Sequence, residues 1–443
     1  MNEAIKEYIN LINADLAANK ADFEKQIDYI KNSTAKYHGR VVRTLAVPKV
    51  FDNDTVLDFK RIAETTHSIL TKVINQYLND EDFRKHFDFD EKLNSLILSD
   101  AGYDCLLPVA RVDIFYNEET GEFKFCEINT DGSSAMNEDR ELNNSLKVTK
   151  VYNKLQDKYG FTSFEFFDSF VEDFENIYST FKNKKVKPNV AIVDFLDHGT
   201  VNEFEQFRLA FIKAGYNCEV CDIKDLKYSD GKLHSSSGMI IDAIYRRAVT
   251  CDIMDNLNNV SDFISAVKDC AVCLVGSFRT QIAHSKILFK VLSDSSLLSF
   301  MTEDEIEFVK AHFPKTYELK SDNKLFDLES VYKNKNSWII KPVDSYASYG
   351  VHAGVECETD EEWVKYVNNG LDNGYIIQEF VTPFITKNTD YENEYNCSNL
   401  TGLFLYNGNF RGIYSRVSKT EIISTQYSEM TLASVICSKK VRD

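Results

Sequence analysis

The sequence is informative first for what it lacks. It has no run of about eighteen apolar residues, the length a helix needs to cross a bilayer. Its opening, MNEAIKEYINLINADL, is acidic and amphipathic rather than basic and then apolar, so no secretory leader is expected and a cytoplasmic location is. It lacks a basic surplus: 69 Asp and Glu against 51 Lys and Arg leave a net charge of −18, which argues against nucleic acid or an anionic membrane as the main partner. A local basic pocket for a nucleotide remains compatible with that balance. No GxGxxG occurs, so nothing points to a dinucleotide. There is no compositional mark of disorder either, with 43% apolar and 27% charged residues.

Ten cysteines are present, expected as free thiols rather than as a disulfide framework. Two CxxC pairs, Cys218 with Cys221 and Cys270 with Cys273, lie in strand-like sequence. Positions three apart in a strand face opposite sides, and neither pair carries a glycine-bearing knuckle turn, so a four-thiolate zinc site is not the expected reading. At 443 residues the chain exceeds one hydrophobic core of ordinary size, and two or three packed units are expected.

The most telling stretch is 110–135, ARVDIFYNEETGEFKFCEINTDGSSA. Two runs, 111–116 and 123–128, are rich in β-branched and aromatic residues, and Glu119-Thr120-Gly121 between them suits a three-residue hairpin loop with glycine left-handed. Closing that loop on Glu118 and Glu122 sets Phe115 opposite Phe125, Asp113 opposite Glu127 and Arg111 opposite Asn129. All six share one face, while Val112, Ile114, Cys126 and Ile128 make a core surface on the other. Facing carboxylates destabilise a hairpin unless something neutralises them. One reading is Mg²⁺, which takes carboxylate and amide oxygens completed by water and phosphate when it serves a nucleotide, with Arg111 facing the same phosphates. The other is a plain hairpin in which Arg111 neutralises Asp113. On the hairpin alone both stand.

Arg-x-Asp at 111–113, Glu-x-Asn at 127–129 and the Asp/Ser/Thr-rich run behind them resemble the metal-binding half of the glutathionylspermidine synthase family, ATP-grasp ligases of circularly permuted order. The resemblance implies Asp113, Glu127 and Asn129 as ligands of Mg²⁺, present as two ions, and Arg111 as a catalytic cation. It also implies Ser133 and Ser134 as substrate contacts, although by composition 131–134 is simply a turn. No cysteine precedes Cys105, so the Cys/His amidase that some members carry ahead of the ligase is not expected.

In a permuted chain the adenine-binding half comes late, and the C-terminal sequence resembles it piece by piece. Lys286 opens a helix in LVGSFRTQIAHSKILFKVLSD, and the threonine-ended FPKTYEL follows it. Lys341 ends an apolar strand in WIIKPVDSYASYGVHAG, and Gln378 and Glu379 end YIIQEFV. The resemblance makes these two phosphate lysines, a phosphate-covering loop and the adenine hinge of an ATP site. A strand-terminal lysine whose stem lies among Trp338, Ile339 and Ile340 delivers one point charge while its methylenes stay packed. Between Pro342 and Gly350 there is no glycine, where the family is richer in it, so Ser345 and Ser348 stand as hydroxyl contacts to phosphate. Finally LFLYNGNFRGIYSRVSKTEIIST reads as a hairpin turned at Asn407-Gly408. Its Arg416 matches the late arginine that the family points at the transferring phosphoryl group, whereas Arg411, nearer the turn, is expected in solvent.

Elsewhere, Ile5, Ile9, Ile12 and Leu16, then Val56, Phe59, Ile62, Ile69, Val73, Ile74 and Tyr77, keep helical spacing. Residues 138–158 and 162–181 read as helices, the second with Phe164, Phe167, Phe170, Val171, Phe174 and Ile177 on one side. The basic run 182–188 marks a boundary. Beyond it, strands at 190–195, 218–221 and 240–245 with a helix at 203–214 imply a parallel α/β unit of Rossmann-like type. Tyr245-Arg246-Arg247 ends a strand where such sheets place ligand contacts, although adjacent arginines read equally as surface charge.

The expected fold is therefore α/β (α+β): a circularly permuted ATP-grasp with a helical region at 1–100, the metal-binding half at 101–185, a Rossmann-like unit at 186–280 and the nucleotide-binding half at 281–443. The expected function is an ATP-dependent ligase joining a small-molecule or peptide carboxylate to an amine. The rivals are a nucleotide-binding protein that keeps the pocket without the chemistry, and a phosphotransferase that stops at the phosphorylated substrate.

Overall fold

The computed structural model describes residues 3–37, 39–197, 199–343, 350–423 and 429–438. It is a mixed α/β molecule in which helices pack around several sheets. Helices α1 (Glu3–Ala14), α2 (Leu16–Asn32) and α3 (Asn53–Asn79) come first. The periodicity read in α3 corresponds to burial of Phe59, Ile62, Ile69, Val73, Ile74 and Tyr77. Asp52 starts this helix by accepting the Thr55 N–H at 2.8 Å.

Strands β1 (Val109–Tyr116) and β2 (Phe123–Asn129) form the antiparallel hairpin. Its loop is longer than expected: Asn117 N–H donates to the Glu122 carbonyl, so the turn closes on that pair, with Gly121 at φ +75. Further along, Ile114 faces Phe125 whereas Asp113 faces Glu127, which leaves Cys126 as a bulged extra residue. The two departures cancel. Asp113 opposite Glu127 and Arg111 opposite Asn129 are found as expected, but Phe115 faces Lys124, and Phe125 turns into the core with Val112, Ile114 and Ile128 while Cys126 leaves it.

Helices α4 (Met136–Leu146), α5 (Lys150–Tyr159) and α6 (Phe167–Ser179) follow. The helix expected over 138–158 is interrupted, because the Thr149 hydroxyl accepts the Tyr152 N–H at 3.4 Å and starts a new one. The helix expected from 162 begins only at Phe167. Residues 161–162 pair instead with a C-terminal strand, and the Glu165 carboxylate caps the N–H groups of Phe167, Asp168 and Ser169.

Strands β3 (Asn189–Asp194), β4 (Asn217–Asp222), β5 (Ala243–Arg246) and β6 (Cys273–Val275) make an all-parallel sheet in the order β4–β3–β5–β6, with α7 (Val201–Lys213) crossing between β3 and β4. Cys218 and Cys221 of β4 lie in different cores, on opposite faces. Helix α8 (Ile287–Ser293) leads to a small antiparallel sheet of β7 (Thr316–Glu318), β8 (Trp338–Pro342), β9 (His352–Ala353) and β10 (Tyr375–Glu379), ordered β7–β10–β8–β9. Its own core holds Ile340, Trp363 and Ile377, and the Trp363 Nε1–H donates to the Val331 carbonyl at 3.0 Å.

Four later strands, β11 (Ile385–Thr389), β12 (Glu394–Tyr406), β13 (Asn409–Ser418) and β14 (Met430–Leu432), return to the early hairpin. The order is β14–β13–β12–β1–β2, with β11 on β12. Asn407 and Gly408 both have positive φ, +48 and +84, as a type I′ turn requires. Strand β12 therefore lies between its own hairpin partner and β1. This brings residues 109–129 and 385–432 onto one sheet.

Helix α4 is tied to the C-terminal end by Asp139, which accepts the Ser434 N–H and the Asn143 amide, each at 2.9 Å. Burial pushes this carboxyl up to about 7. It therefore stays protonated in the folded chain through a pH range in which the unfolded chain has already released the proton. Stability should fall as pH rises from about 4 to 7 and level off above, roughly 1.4 kcal/mol per pH unit at most. Urea unfolding of Asp139→Asn and the parent at several pH values checks this. The parent should lose stability relative to the variant across that window, and a constant difference would contradict the assignment.

Candidate functional site

The alternation of β1 puts Arg111 and Asp113 on one face, and everything nearby converges on Asp113, whose side chain is 0% exposed. Arg111 grips it with both edges of its fork, Nε to Oδ1 at 2.8 Å and Nη2 to Oδ2 at 3.0 Å. The Asn129 amide donates to Oδ2 at 2.9 Å, and Arg416 Nη2 reaches the same oxygen at 2.5 Å. Arg416 stands on β13, two strands away. It spans β12 because the residue there, level with Asp113, is Gly402. A Cβ on Gly402 would come within 2.7 Å of Asp113 Oδ1 and 2.9 Å of Arg111 Cδ.

The guanidinium groups of Arg111 and Arg416 lie 5.4 and 5.3 Å from the centre of the Tyr414 ring, in cation–π range. Arg416 also stands 4.0 Å from Glu127 Oε1 and, through Nη1, 3.6 Å from Glu429 Oε2. Glu127 receives the Asn129 amide at 3.1 Å and keeps 43% of its side chain exposed. Desolvation opposes its ionisation, but Arg416, Arg111 and the surrounding hydrogen bonds outweigh that and hold its carboxyl well below the usual range.

The segment behind the hairpin is clamped. Asp131 pairs with Arg246 at 2.7 Å and accepts the Thr250 N–H at 2.6 Å, while Arg247 bonds to Glu203 at 2.8 Å and to the Ser133 carbonyl. Both arginines at the end of β5 are thus buried structural ties, not surface charge. The Ser133 hydroxyl donates to the Asn129 carbonyl at 2.8 Å, and the Ser134 carbonyl accepts from Arg111 Nη1 at 3.0 Å. In this geometry Ser133 and Ser134 brace Asn129 and Arg111.

Lys286 immediately precedes α8, and with Asp131, Glu127 and Arg246 it forms the charged surroundings of His284. Burial pushes that imidazole below its ordinary value, Lys286 and Arg246 add to the effect, and Asp131 and Glu127 oppose it. Across from the hairpin, Lys341 Nζ donates to Gln378 Oε1 at 2.7 Å, and Gln378 Nε2 donates to the Thr316 hydroxyl at 2.8 Å. Lys341 also acts on the bulged Cys126, whose thiol burial pushes up to about 12 against the pull of that ammonium. Lys341 of the small sheet is therefore in electrostatic range of the hairpin.

Glu379 differs from the expectation of a side chain waiting for adenine or ribose: its Oε2 accepts the Lys315 N–H at 3.1 Å. Ser345 and Ser348 lie outside the described residues. Arg411 is not solvated as expected but bonds through Nε to the buried Asp173 at 2.6 Å.

Sequence reading missed Gly402, Tyr414, Glu429 and His284. Only Gly402 left a signal, a lone glycine within a long apolar strand, which marks close approach of neighbours. As for a metal, Glu127 with its exposed carboxylate and Asn129 with its carbonyl oxygen suit a cation brought by phosphate. Asp113 does not in its present pairing, since its oxygens already accept N–H from Arg111, Asn129 and Arg416.

No family model matches the sequence, and no curated protein matches it. Among solved structures the chain is similar to a glutathione synthetase-like effector from Globodera pallida in apo form, with a TM-score of 0.57 and 10% identity over 94% of this chain and 96% of that one. It also aligns with a chain assigned as a γ-glutamylcysteine synthetase from Methylobacillus flagellatus KT, at TM-score 0.40 and 10% identity over 81% and 83% of the two chains. A D-cycloserine synthetase gives 0.25 and 11% over 56% and 92%. The first likeness establishes a shared fold and nothing about activity. The other two are too distant to establish even that.

The close approach at Gly402 is testable without knowing the substrate. Gly402→Ala should lower stability by about 1–3 kcal/mol, as overpacking in a filled site does, because backbone and Asp113 cannot both hold their places. Urea denaturation of the variant at the parent's midpoint would show that Gly402 is not what lets Arg111 and Arg416 share Asp113.

Proposed function

We propose that the chain is an ATP-dependent carboxylate–amine ligase, of the permuted ATP-grasp kind that resembles the glutathionylspermidine synthases. The observation that carries this reading is the convergence of Arg111, Asp113, Glu127, Asn129 and Arg416 on one sheet face, with Lys341 of a second sheet in electrostatic range of the hairpin. The fold shared with the Globodera pallida glutathione synthetase-like effector supports it. So does the resemblance of the hairpin motif.

In this reading ATP lies between the two sheets, with Lys341 and Lys286 at its phosphates. Glu127 and Asn129, with Asp113 once a guanidinium leaves it, would hold Mg²⁺, which would neutralise phosphate charge. A substrate carboxylate oxygen attacks the γ-phosphorus as the bond to the bridging oxygen breaks, and ADP leaves. The amine nitrogen then attacks the acyl carbon, and phosphate departs with its bonding pair while the amine's proton passes to solvent. Arg111 and Arg416 face the site where negative charge shifts from ATP to the acceptor, an interaction stronger in the transition state than in the ground state.

A coupled assay for ADP over a panel of peptides and polyamines tests the reading. ADP should appear only when a carboxylate and an amine are both present. Release with a carboxylate alone, at the same rate, identifies a phosphotransferase, and tight ATP binding without turnover on any pair identifies a passive binder. Arg416→Ala should slow turnover by about two to three powers of ten, the size of one lost charge-stabilising contact, and disturb ATP affinity far less. Lys341→Ala should do the reverse and weaken ATP binding in calorimetry. Equal nucleotide affinity in parent and Lys341→Ala would remove Lys341 from the phosphate site.

A further inference from the structure

The Arg416 guanidinium sits where three carboxylates meet. Nη2 is 2.5 Å from Asp113 Oδ2 and 4.0 Å from Glu127 Oε1, and Nη1 is 3.6 Å from Glu429 Oε2. The residue is 5% exposed, and its Nε has no hydrogen-bond partner among the described residues. Arg111 already satisfies Asp113 with a two-pronged grip, so Arg416 is a second cation on one carboxylate. Asp113 Oδ2 accepts from Arg111, Asn129 and Arg416 together, three donors for the two lone pairs of one oxygen. A donor can leave that oxygen without leaving it unsatisfied.

We propose that Arg416 is a resident counter-ion that holds the place of the metal beside Asp113 and Glu127 and moves to the nucleotide's phosphates when metal and nucleotide arrive together. This rests on the reading that the site takes metal-bound ATP. Asp113, Glu127 and Glu429 are three carboxyl groups gathered around the two guanidinium groups of Arg111 and Arg416. A divalent ion entering alone would have to displace a guanidinium with nowhere comparable to go, in a site where charges repel through little water. Metal with ATP brings both halves of an exchange: the carboxylates pass from guanidinium to metal, and the guanidinium passes from carboxylate to phosphate. Glu429, on the other edge of the fork, keeps Arg416 tethered throughout. Metal and nucleotide should therefore bind with positive coupling, and the coupling should belong to the charge at position 416.

The test is Mn²⁺ binding to the full chain followed by electron paramagnetic resonance, with and without ATP and with no carboxylate or amine added. The parent should bind Mn²⁺ alone weakly. Arg416→Gln should bind it more tightly by about 5- to 150-fold, the usual span of coupling between sites, and Arg416→Lys, which keeps the charge, should stay as weak as the parent. Unchanged or weaker Mn²⁺ binding by Arg416→Gln overturns the proposal.

Should circular dichroism show Arg416→Gln unfolded, ¹⁵N-arginine spectra of the parent serve instead. The Arg416 Nε signal, identified by its loss in Arg416→Lys, should hold its place with Mg²⁺ alone and move with Mg²⁺ and ATP. No movement with both, or an equal movement with Mg²⁺ alone, overturns it. If the parent fails to bind Mn²⁺ with ATP at all, the nucleotide reading falls too. Binding of the pair without any gain in Arg416→Gln removes the counter-ion role alone.

Discussion

One wholly buried carboxylate, Asp113, organises the centre of this molecule. An ionised carboxylate without partners could not persist there; the effective penalty for burying one charge is several kcal/mol. Two of its partners are local, Arg111 from its own strand and Asn129 from the returning strand, and the third, Arg416, lies about three hundred residues further along the chain. Because each donor must be within hydrogen-bond reach, β12 and β13 have to pack directly against the early hairpin. Gly402 is the consequence. The strand that lies between Asp113 and Arg416 has to be bare at the level where the two side chains cross.

The parallel sheet is joined to this centre by the same physics at a second level. Arg246 and Arg247 end β5 inside the protein, and each is neutralised by a carboxylate from elsewhere, Asp131 of the segment behind the hairpin and Glu203 of α7. Glu203 also accepts the N–H groups of Ala135 and Asn137, the unsatisfied donors that open α4. The 131–135 segment is thus tied on several sides by side-chain bonds. Its backbone is held from below by guanidinium groups, and it in turn holds Asn129 and Arg111 from behind.

The sequence disclosed the face of the hairpin because alternation in a strand is obligatory, and it disclosed the Asn407-Gly408 turn because only a few residues tolerate two successive positive φ values. It disclosed Arg416 through likeness to a known motif rather than through spacing. The bulge at Cys126 was invisible, since nothing in FKFCEIN distinguishes an extra residue from a paired one. The longer turn at 118–121 was equally so, and the polar register came out as expected only because one error offset the other. Glu429 and His284 are single polar residues in ordinary surroundings, and their proximity to Arg416 and Glu127 is set entirely by how distant elements pack. Helix starts were misread for a local reason: Thr149 and Glu165 cap through side chains, and capping competes with periodicity over the first turn.

Tyr414 explains why two guanidinium groups can share one carboxylate. Like charges at such range repel, and neither arginine is open enough for water to screen the repulsion. The ring of Tyr414 stands close to both, 5.4 Å from Arg111 and 5.3 Å from Arg416, and offers them the electron-rich surface of an aromatic system. Its hydroxyl is occupied elsewhere, with Thr431 at 3.1 Å and Glu429 at 3.3 Å, so the ring is held in place from the neighbouring strand. The arginines thus have a fixed partner that does not depend on Asp113.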